Sequence, residues 1–296
     1  MINAAQLAKD IQAGHRARIN NSILIFGAPK TGKTRMVASV AEMPSIKRVV
    51  WFDTERGIDT LLSGQAGISQ EGLAKIEPIL FRDTKDVPRV AETLLKALTS
   101  PSTVHIDQET GKLLPHSTDQ SISFAYHSLD ASTAVVFDTI SQAADSVFNL
   151  QLLLYKYKDN RKYWGEFYGD MNAILSSIQS SSAINILTAQ EQIKEGTTQE
   201  EGKRRTVLKA TDSAKTSAVM VQDDKLIPVC GSYAYSMKVA KYVGSLIRLY
   251  VERSSYKGVS QPTTIANVLA GSRIGVDISS IANPTISDIL GVTRER

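Results

Sequence analysis

Residues 27 to 34 read Gly27-Ala28-Pro29-Lys30-Thr31-Gly32-Lys33-Thr34 and follow directly on the apolar run Ser22-Ile23-Leu24-Ile25-Phe26. No other stretch constrains the fold as tightly. A β-forming run that empties into a turn with glycine at both ends, and then into a helix, can curl its backbone N–H groups around an anion. The helix starting near Gly32 adds the positive end of its dipole. The pattern is G-x-x-x-x-G-K-[ST], in which Lys33 reaches the β and γ oxygens of a nucleoside triphosphate and the Thr34 hydroxyl ligates Mg²⁺. Context separates this reading from a glycine-rich turn with no ligand. Behind the loop, Arg35-Met36-Val37-Ala38-Ser39-Val40-Ala41-Glu42 reads as helix and stops before Pro44. The predicted binding segment is Gly27, Ala28, Pro29, Lys30, Thr31, Gly32, Lys33, Thr34 and Arg35.

The rest of the chain supplies the units such a loop needs. Arg48-Val49-Val50-Trp51-Phe52-Asp53 is a short apolar run ending in the polar Asp53-Thr54-Glu55, as a buried strand does at a sheet edge. Residues 75 to 81 give a third strand. Between 86 and 98, Val87, Val90, Leu94, Leu95 and Leu98 fall on one helical face. The β, α, β, α alternation predicts a parallel sheet. Residues 103 to 114 read as an inserted β-hairpin turning at Glu109 to Gly111, and residues 115 to 130 as loop. The core resumes with Ala134-Val135-Val136-Phe137-Asp138, a helix from Ser141 to about Tyr155, a second from about Glu166 to Ser180, and a strand from Ala183 to Ala189. A charged, glycine-containing loop is expected from Gln190 to Arg205. Further strands, some antiparallel, follow at 245 to 251 and 263 to 269.

Bulk composition is that of a globular chain: 296 residues, 42% hydrophobic, 22% charged, with a formal charge of +4. The single cysteine, Cys230, excludes an internal disulfide and a cysteine-based zinc site. His15, His105, His116 and His127 are scattered without metal-ligand spacing. No apolar run approaches membrane-spanning length, and residues 1 to 20 read as a short amphipathic helix without a signal core. The expected setting is cytoplasmic, without membrane contact.

Two carboxylates are expected beside the phosphates. Val135-Val136-Phe137-Asp138 is a buried strand carrying one carboxylate to the sheet edge, where it can hold Mg²⁺ through water; Asp138 as a helix cap is the competing reading. Glu55, at the edge of a neighbouring strand, stands where a hydrolase keeps the carboxylate that orients the attacking water. A solvated acid that merely starts the helix 58 to 62 fits its chemistry equally well.

The segment Trp51-Phe52-Asp53-Thr54-Glu55-Arg56-Gly57 resembles the strand-two motif of RecA-like recombinases, in which an Asp-Thr-Glu-Gly stretch carries the catalytic glutamate. Val136-Phe137-Asp138-Thr139-Ile140-Ser141 resembles their Walker B strand, and Leu187-Thr188-Ala189-Gln190-Glu191 a core strand whose terminal glutamine senses the γ-phosphate. The set is most similar to phage-encoded RecA-like ATPases of the nucleotide-binding and single-strand annealing type. The likeness covers roughly residues 20 to 253. It implies an α/β, RecA-like P-loop NTPase core with a mostly parallel sheet flanked by helices, an inserted hairpin and extra C-terminal strands. The implied layout is an N-terminal helix at 1–20, an ATPase core at 21–253 and an extension at 254–296. ATP and Mg²⁺ are the implied cofactors, with Glu55, Lys33 and Gln190 catalytic and Thr34 and Asp138 at the metal. Lys30 stands where glycine is more usual, and the segment from Gly271 carries no family motif.

The resemblance also implies assembly into rings or filaments, completed by a basic residue from a neighbouring copy. Lys238, Lys241 and Arg248, with Arg253 and Arg273, are the candidates. The implied polymer partner is single-stranded DNA, met alone or together with a single-strand-binding protein in the host cytoplasm. Residues 155 to 164 set four cations, Lys156, Lys158, Arg161 and Lys162, against one acid and interleave four aromatics including Tyr163 and Trp164. Cations meet phosphates and rings stack on bases. Equally, the rings could staple a helix to the core. Residues 191 to 209 concentrate charge at Lys203, Arg204 and Arg205, where a plain charged hairpin is as good a description. The implied activity is ATP-driven annealing or strand exchange; a small-molecule phosphotransferase or a regulatory or motor ATPase is the alternative.

Overall fold

The computed structural model describes residues 21–64, 66–84, 86–155, 160–194, 225–261, 268–273 and 277–291. In chain order its strands are β1 (Ser22–Gly27), β2 (Arg48–Asp53), β3 (Ile76–Leu80), β4 (Val104–Asp107), β5 (Leu113–Leu114), β6 (Ser121–Phe124), β7 (Thr133–Asp138), β8 (Ile184–Lys194), β9 (Lys225–Pro228), β10 (Ser245–Glu252), β11 (Ser255–Val259) and β12 (Gly271–Ser272). The helices are α1 (Lys33–Ala38), α2 (Ile58–Leu62), α3 (Gln70–Ala74), α4 (Arg89–Thr99), α5 (Ile140–Leu154), α6 (Asn160–Ser180), α7 (Tyr233–Ser236) and α8 (Ile286–Leu290). A 3₁₀ turn at Ser39–Glu42 prolongs α1.

Strands β11-β10-β1-β8-β7-β2-β3 form one sheet, with β12 paired to β10 and β9 to β8. Pairings among β10, β1, β8, β7, β2 and β3 are parallel, whereas β11, β12 and β9 pair antiparallel. Every residue of β1 and β7 is buried, which only a sheet covered on both faces allows. Because successive side chains point to opposite faces, each strand feeds two cores. Leu24, Phe26, Val50, Phe52, Val135 and Phe137 meet Leu94, Val147 and Ile174 of α4, α5 and α6. Ile23, Ile25, Trp51 and Val136 meet Met36 and Val37 of α1 and Ile286 and Ile289 of α8. The C-terminal segment therefore packs on the same sheet as the phosphate loop. No described helix is long and apolar enough to cross a membrane.

Three sequence-based boundaries move. Residues 115–130 are not all loop: Ser121–Phe124 is a third strand, and the insertion is a three-stranded sheet, β5-β4-β6. The alternation Ser121-Ile122-Ser123-Phe124 turns Ile122 and Phe124 into the core. Helix α6 begins at Asn160, not near Glu166, because Trp164, Phe167 and Met171 share one core-facing stripe. Strand β8 continues past Ala189 to Lys194, paired with β9 from Glu191↔Pro228 to Lys194↔Lys225, so the first residues of the expected charged loop are ladder. Residues 1–20 and 262–267, which include the expected N-terminal helix and most of the last expected strand, lie outside the described residues.

Phe52 is the hinge of the first core. Its ring stacks on Phe137 at 5.3 Å and on Phe81 at 6.1 Å, and meets Phe124 of the insertion edge-on at 5.5 Å. Replacement by alanine opens a cavity shared by β2, β7 and β6. Phe52→Ala is expected to lower the unfolding free energy by about 3–5 kcal/mol in urea titration.

Candidate active site at the carboxyl edge of the sheet

Strands β1, β8, β7 and β2 are consecutive and parallel, so their carboxyl ends share one edge. In register, Gly27 stands beside Gln190 and Asp53 beside Asp138. The phosphate loop, Gln190, Asp138 and the Glu55 turn thus emerge side by side, each strand step contributing about 4.8 Å. Within the loop, the Thr31 hydroxyl donates to the Ala28 carbonyl at 2.8 Å, and the Lys33 ammonium donates to the Gly27 and Ala28 carbonyls at 2.9 Å each. Burial draws the Lys33 ammonium below its ordinary range, opposed by the charges of Asp138, Glu55 and Glu191. Gly32 opens α1 with φ of 84°, a conformation side chains resist. Lys30 also takes a positive φ, 64°, where glycine is usual, and its side chain is exposed. Pro29 is exposed beside it.

Asp138 lies across from Thr34. Its Oδ2 accepts from the Thr34 hydroxyl at 3.1 Å and its Oδ1 from the Thr188 hydroxyl. Burial pushes this carboxyl up to about 6, reinforced by the charges of Asp53 and Glu55 and resisted by the two hydroxyl bonds. Helix α5 is capped by Thr139, whose hydroxyl accepts from the Gln142 amide at 3.2 Å. Asp138 is accordingly not the cap. Thr34 and Asp138 together offer two hard oxygens at the end of a phosphate loop, the donor set that suits Mg²⁺ completed by phosphate and water.

Glu55 does not serve the start of α2. Asp53 does that: its carboxylate accepts from the Gly57 amide at 2.8 Å and the Ile58 amide at 3.0 Å. Burial raises the Asp53 carboxyl, and these amides oppose the rise. Thr54 fastens the same turn to β7, donating from Oγ1 to the Asp138 carbonyl at 3.0 Å and accepting from the Thr139 amide at 2.8 Å. So held, Glu55 Oε1 accepts from the Thr139 hydroxyl at 2.9 Å and from Gln190 Nε2 at 3.1 Å. Gly57 passes so close to Asp138 that a Cβ there would stand 2.5 Å from Oδ2. Asp53, Thr54, Gly57 and Thr188 were not singled out by sequence reasoning. The signals were present: a hydroxyl at 188 inside an apolar strand, and an acid four residues before a glycine.

Other candidates are placed elsewhere. Arg248, in register with Phe26 on β10, is half-buried and gives its guanidinium to Glu191 of the same chain at 2.9 Å. Lys241 precedes β10, at the edge opposite the phosphate loop, with its ammonium 4.5 Å from the Tyr242 ring; Lys238 is exposed just before it, and Arg253 sits at the β10–β11 turn with φ of 46°. Arg273 donates to the Lys241 carbonyl at 3.4 Å. Arg161 and Lys162 are exposed on α6, with the Lys162 ammonium 5.0 Å from the Tyr155 ring. Trp164 packs 4.7 Å from Phe148 and 5.7 Å from Phe167, and Tyr163 lies 5.7 Å from Phe148, so both rings are half-buried staples. Lys156, Lys158, Lys203, Arg204 and Arg205 lie outside the described residues. No group of three or more His, Cys, Asp or Glu side chains that could hold a metal occurs among the described residues.

The chain matches the AAA domain family over residues 19–227, more than half its length, and belongs to that family. Its fold, a mainly parallel sheet flanked by helices with a phosphate loop after β1, is that of a P-loop NTPase. Among solved structures, it is similar to a prototypical ATPase from the type III secretion system of pathogenic bacteria, with a TM-score of 0.47 and 14% identity over 86% of this chain and 57% of that one. The chain thus spans a little over half the length of that ATPase. No curated protein matches the sequence.

The raised Asp138 carboxyl has a pH signature. A folded-state value of about 6 against about 4 for an unfolded chain means that the folded protein holds the proton more tightly, so stability falls as pH rises through that window. With divalent metal chelated, Asp138→Asn is expected to stabilise the protein by on the order of 1–3 kcal/mol at pH 7.5. The gain should shrink toward zero as pH falls to 4, as measured by denaturant titration at each pH.

Proposed function

We propose that the protein binds ATP with Mg²⁺, hydrolyses it, and couples that cycle to self-assembly on single-stranded DNA, promoting annealing or strand exchange. The observation that carries the hydrolytic reading is the Glu55 carboxylate held by the hydroxyl of the α5 cap Thr139 and by the side-chain amide of Gln190 on β8, beside the Thr34–Asp138 pair. Mg²⁺, when bound, neutralises charge on the β and γ oxygens. Thr34 and Asp138 would hold it, directly or through water. Lys33, already aimed across the loop, meets the same oxygens, and Glu55 orients the attacking water and takes up its proton. Gln190 bridges Glu55 to β8, so the state of the γ-phosphate reaches the β8–β9 ladder.

The DNA part of this reading rests on the RecA-like motif order and on charge, with Arg161 and Lys162 exposed on α6. Self-association and a cytoplasmic setting come from the same resemblance. Stacking by Trp164 would require it to leave Phe148, which favours the cations over the rings as the DNA contacts on this helix.

Three experiments test the reading. Glu55→Gln is expected to retain ATP binding while turnover falls roughly 10²–10⁴-fold; turnover near the parental rate would remove Glu55 from the chemistry. Single-stranded DNA is expected to raise the ATPase rate and enlarge the particle in light scattering. Charge reversal at Arg161 and Lys162 together should weaken DNA binding and flatten its salt dependence. An ATPase rate and particle size both indifferent to DNA would confine the function to nucleotide hydrolysis.

A further inference from the structure

Helix α5 starts directly after Thr139, which caps it, so its second residue, Ser141, is not needed to begin the helix. Ser141 is buried all the same, at 4% exposure, and its hydroxyl is used twice. Oγ accepts from the Gln190 amide at 3.0 Å and donates to the Val229 carbonyl at 2.7 Å. Both partners belong to other elements. Gln190 lies in β8 beside Gly27 of the phosphate loop, and Val229 directly follows β9.

The hydroxyl stands in for a ladder bond. Because Glu191 pairs with Pro228, the next rung of the β8–β9 ladder sets Gln190 opposite Val229. An antiparallel pair of the hydrogen-bonded kind exchanges two bonds, each from an amide to the opposite carbonyl. One is made, from the Val229 amide to the Gln190 carbonyl at 2.7 Å. In place of the other, Ser141 takes the Gln190 amide and passes its own proton to the Val229 carbonyl. This rung therefore belongs to α5 as well as to the two strands.

Gln190 is also the residue whose side chain meets Glu55, Nε2 to Oε1 at 3.1 Å, and both residues are exposed. Ordering two long exposed side chains costs rotamer entropy, and a backbone already fixed keeps that cost down. Thr139 grips Glu55 itself at 2.9 Å, while Ser141 grips the backbone of Gln190. The first turn of α5 thus closes a ring of hydrogen bonds that runs from Thr139 through Glu55 and Gln190 to Ser141.

We propose that Ser141 is a positioning residue of this site: inserted between Gln190 and Val229, it sets the backbone from which Gln190 holds Glu55. The assignment rests on the hydrolytic reading of Glu55. It makes the β8–β9 rung part of the site, so a shift of β9 against β8 misplaces Glu55 without disturbing the phosphate loop.

Steady-state ATPase kinetics test this, with binding of a non-hydrolysable ATP analogue and Mg²⁺ followed by calorimetry. Ser141→Ala should lower kcat roughly 10- to 100-fold, as a displacement of about 1 Å does, and leave analogue affinity within about twofold. Gln190→Ala should also lose turnover. Because the serine acts through Gln190, the double variant should be within about twofold of the slower single variant. Ser146 is the control: equally buried on the same helix, it accepts from the Ala91 amide at 3.0 Å. Ser146→Ala should lower the unfolding midpoint, as loss of a buried hydrogen bond does, with kcat within about twofold of the parent. Should Ser141→Ala fail to fold, Ser141→Cys, whose thiol is a weak donor and acceptor, should show the same loss of turnover with binding retained. Parental turnover in whichever Ser141 variant folds, additive losses in the double variant, or an equal kcat loss in Ser146→Ala overturns the positioning role while the hydrolytic reading survives. A parent protein that hydrolyses no ATP, or parental turnover in Glu55→Gln, overturns the hydrolytic reading and the positioning role with it.

Discussion

The interaction on which the rest depends is the burial of one carboxylate, Asp138, at the middle of a parallel sheet. It is 3% exposed and would be costly there without partners. Two threonine hydroxyls, one from the phosphate-loop helix and one from β8, supply them. Because those hydroxyls come from separate elements, the carboxylate ties β7 to both of its functional neighbours. Gly57 exists beside it because no side chain fits. A carboxylate buried, as this one is among the described residues, without a cationic partner is one whose charge a divalent cation would stabilise.

Around that centre, the arrangement divides roles by residue type. Hydroxyls and amides hold the carboxylates in place, and Lys33 crosses the loop to the Gly27 and Ala28 carbonyls. Asp53 illustrates the division, since its two oxygens are used on the amides that begin α2 and it is thereby unavailable for metal. Glu55, two residues on, has no such duty and faces Thr139 and Gln190 instead. The Arg248–Glu191 pair follows the same logic. Both groups are largely shielded from water, so an arginine adjacent to the loop strand is kept within its own chain.

Much of the fold was legible beforehand. Continuous apolar runs at Ser22–Gly27 and Thr133–Asp138 announce strands buried on both faces, and the glycine spacing announces the turn between β1 and α1. What escaped was short or depended on a distant partner. The strand at Ser121–Phe124 has four residues and becomes a strand because Phe124 meets Phe52. The start of α6 shifted because its aromatic residues read both as a nucleic-acid surface and as a core stripe, and only the position of Phe148 decides between these.

The amino-acid sequence alone determined the phosphate loop, the strands of the functional edge and the identity of its acids, because those depend on local pattern: glycine where the backbone curls, apolar residues where a strand is buried, a carboxylate where the strand ends. Tertiary structure decided which acid does what. Asp53 and Glu55 are chemically alike and two residues apart, and only the proximity of the α2 amides to one and of Thr139 and Gln190 to the other distinguishes them. It likewise decided that Ser141, undistinguished in the sequence, stands between Gln190 and Val229, since contacts between residues so far apart in the chain are set by packing and not by local propensity.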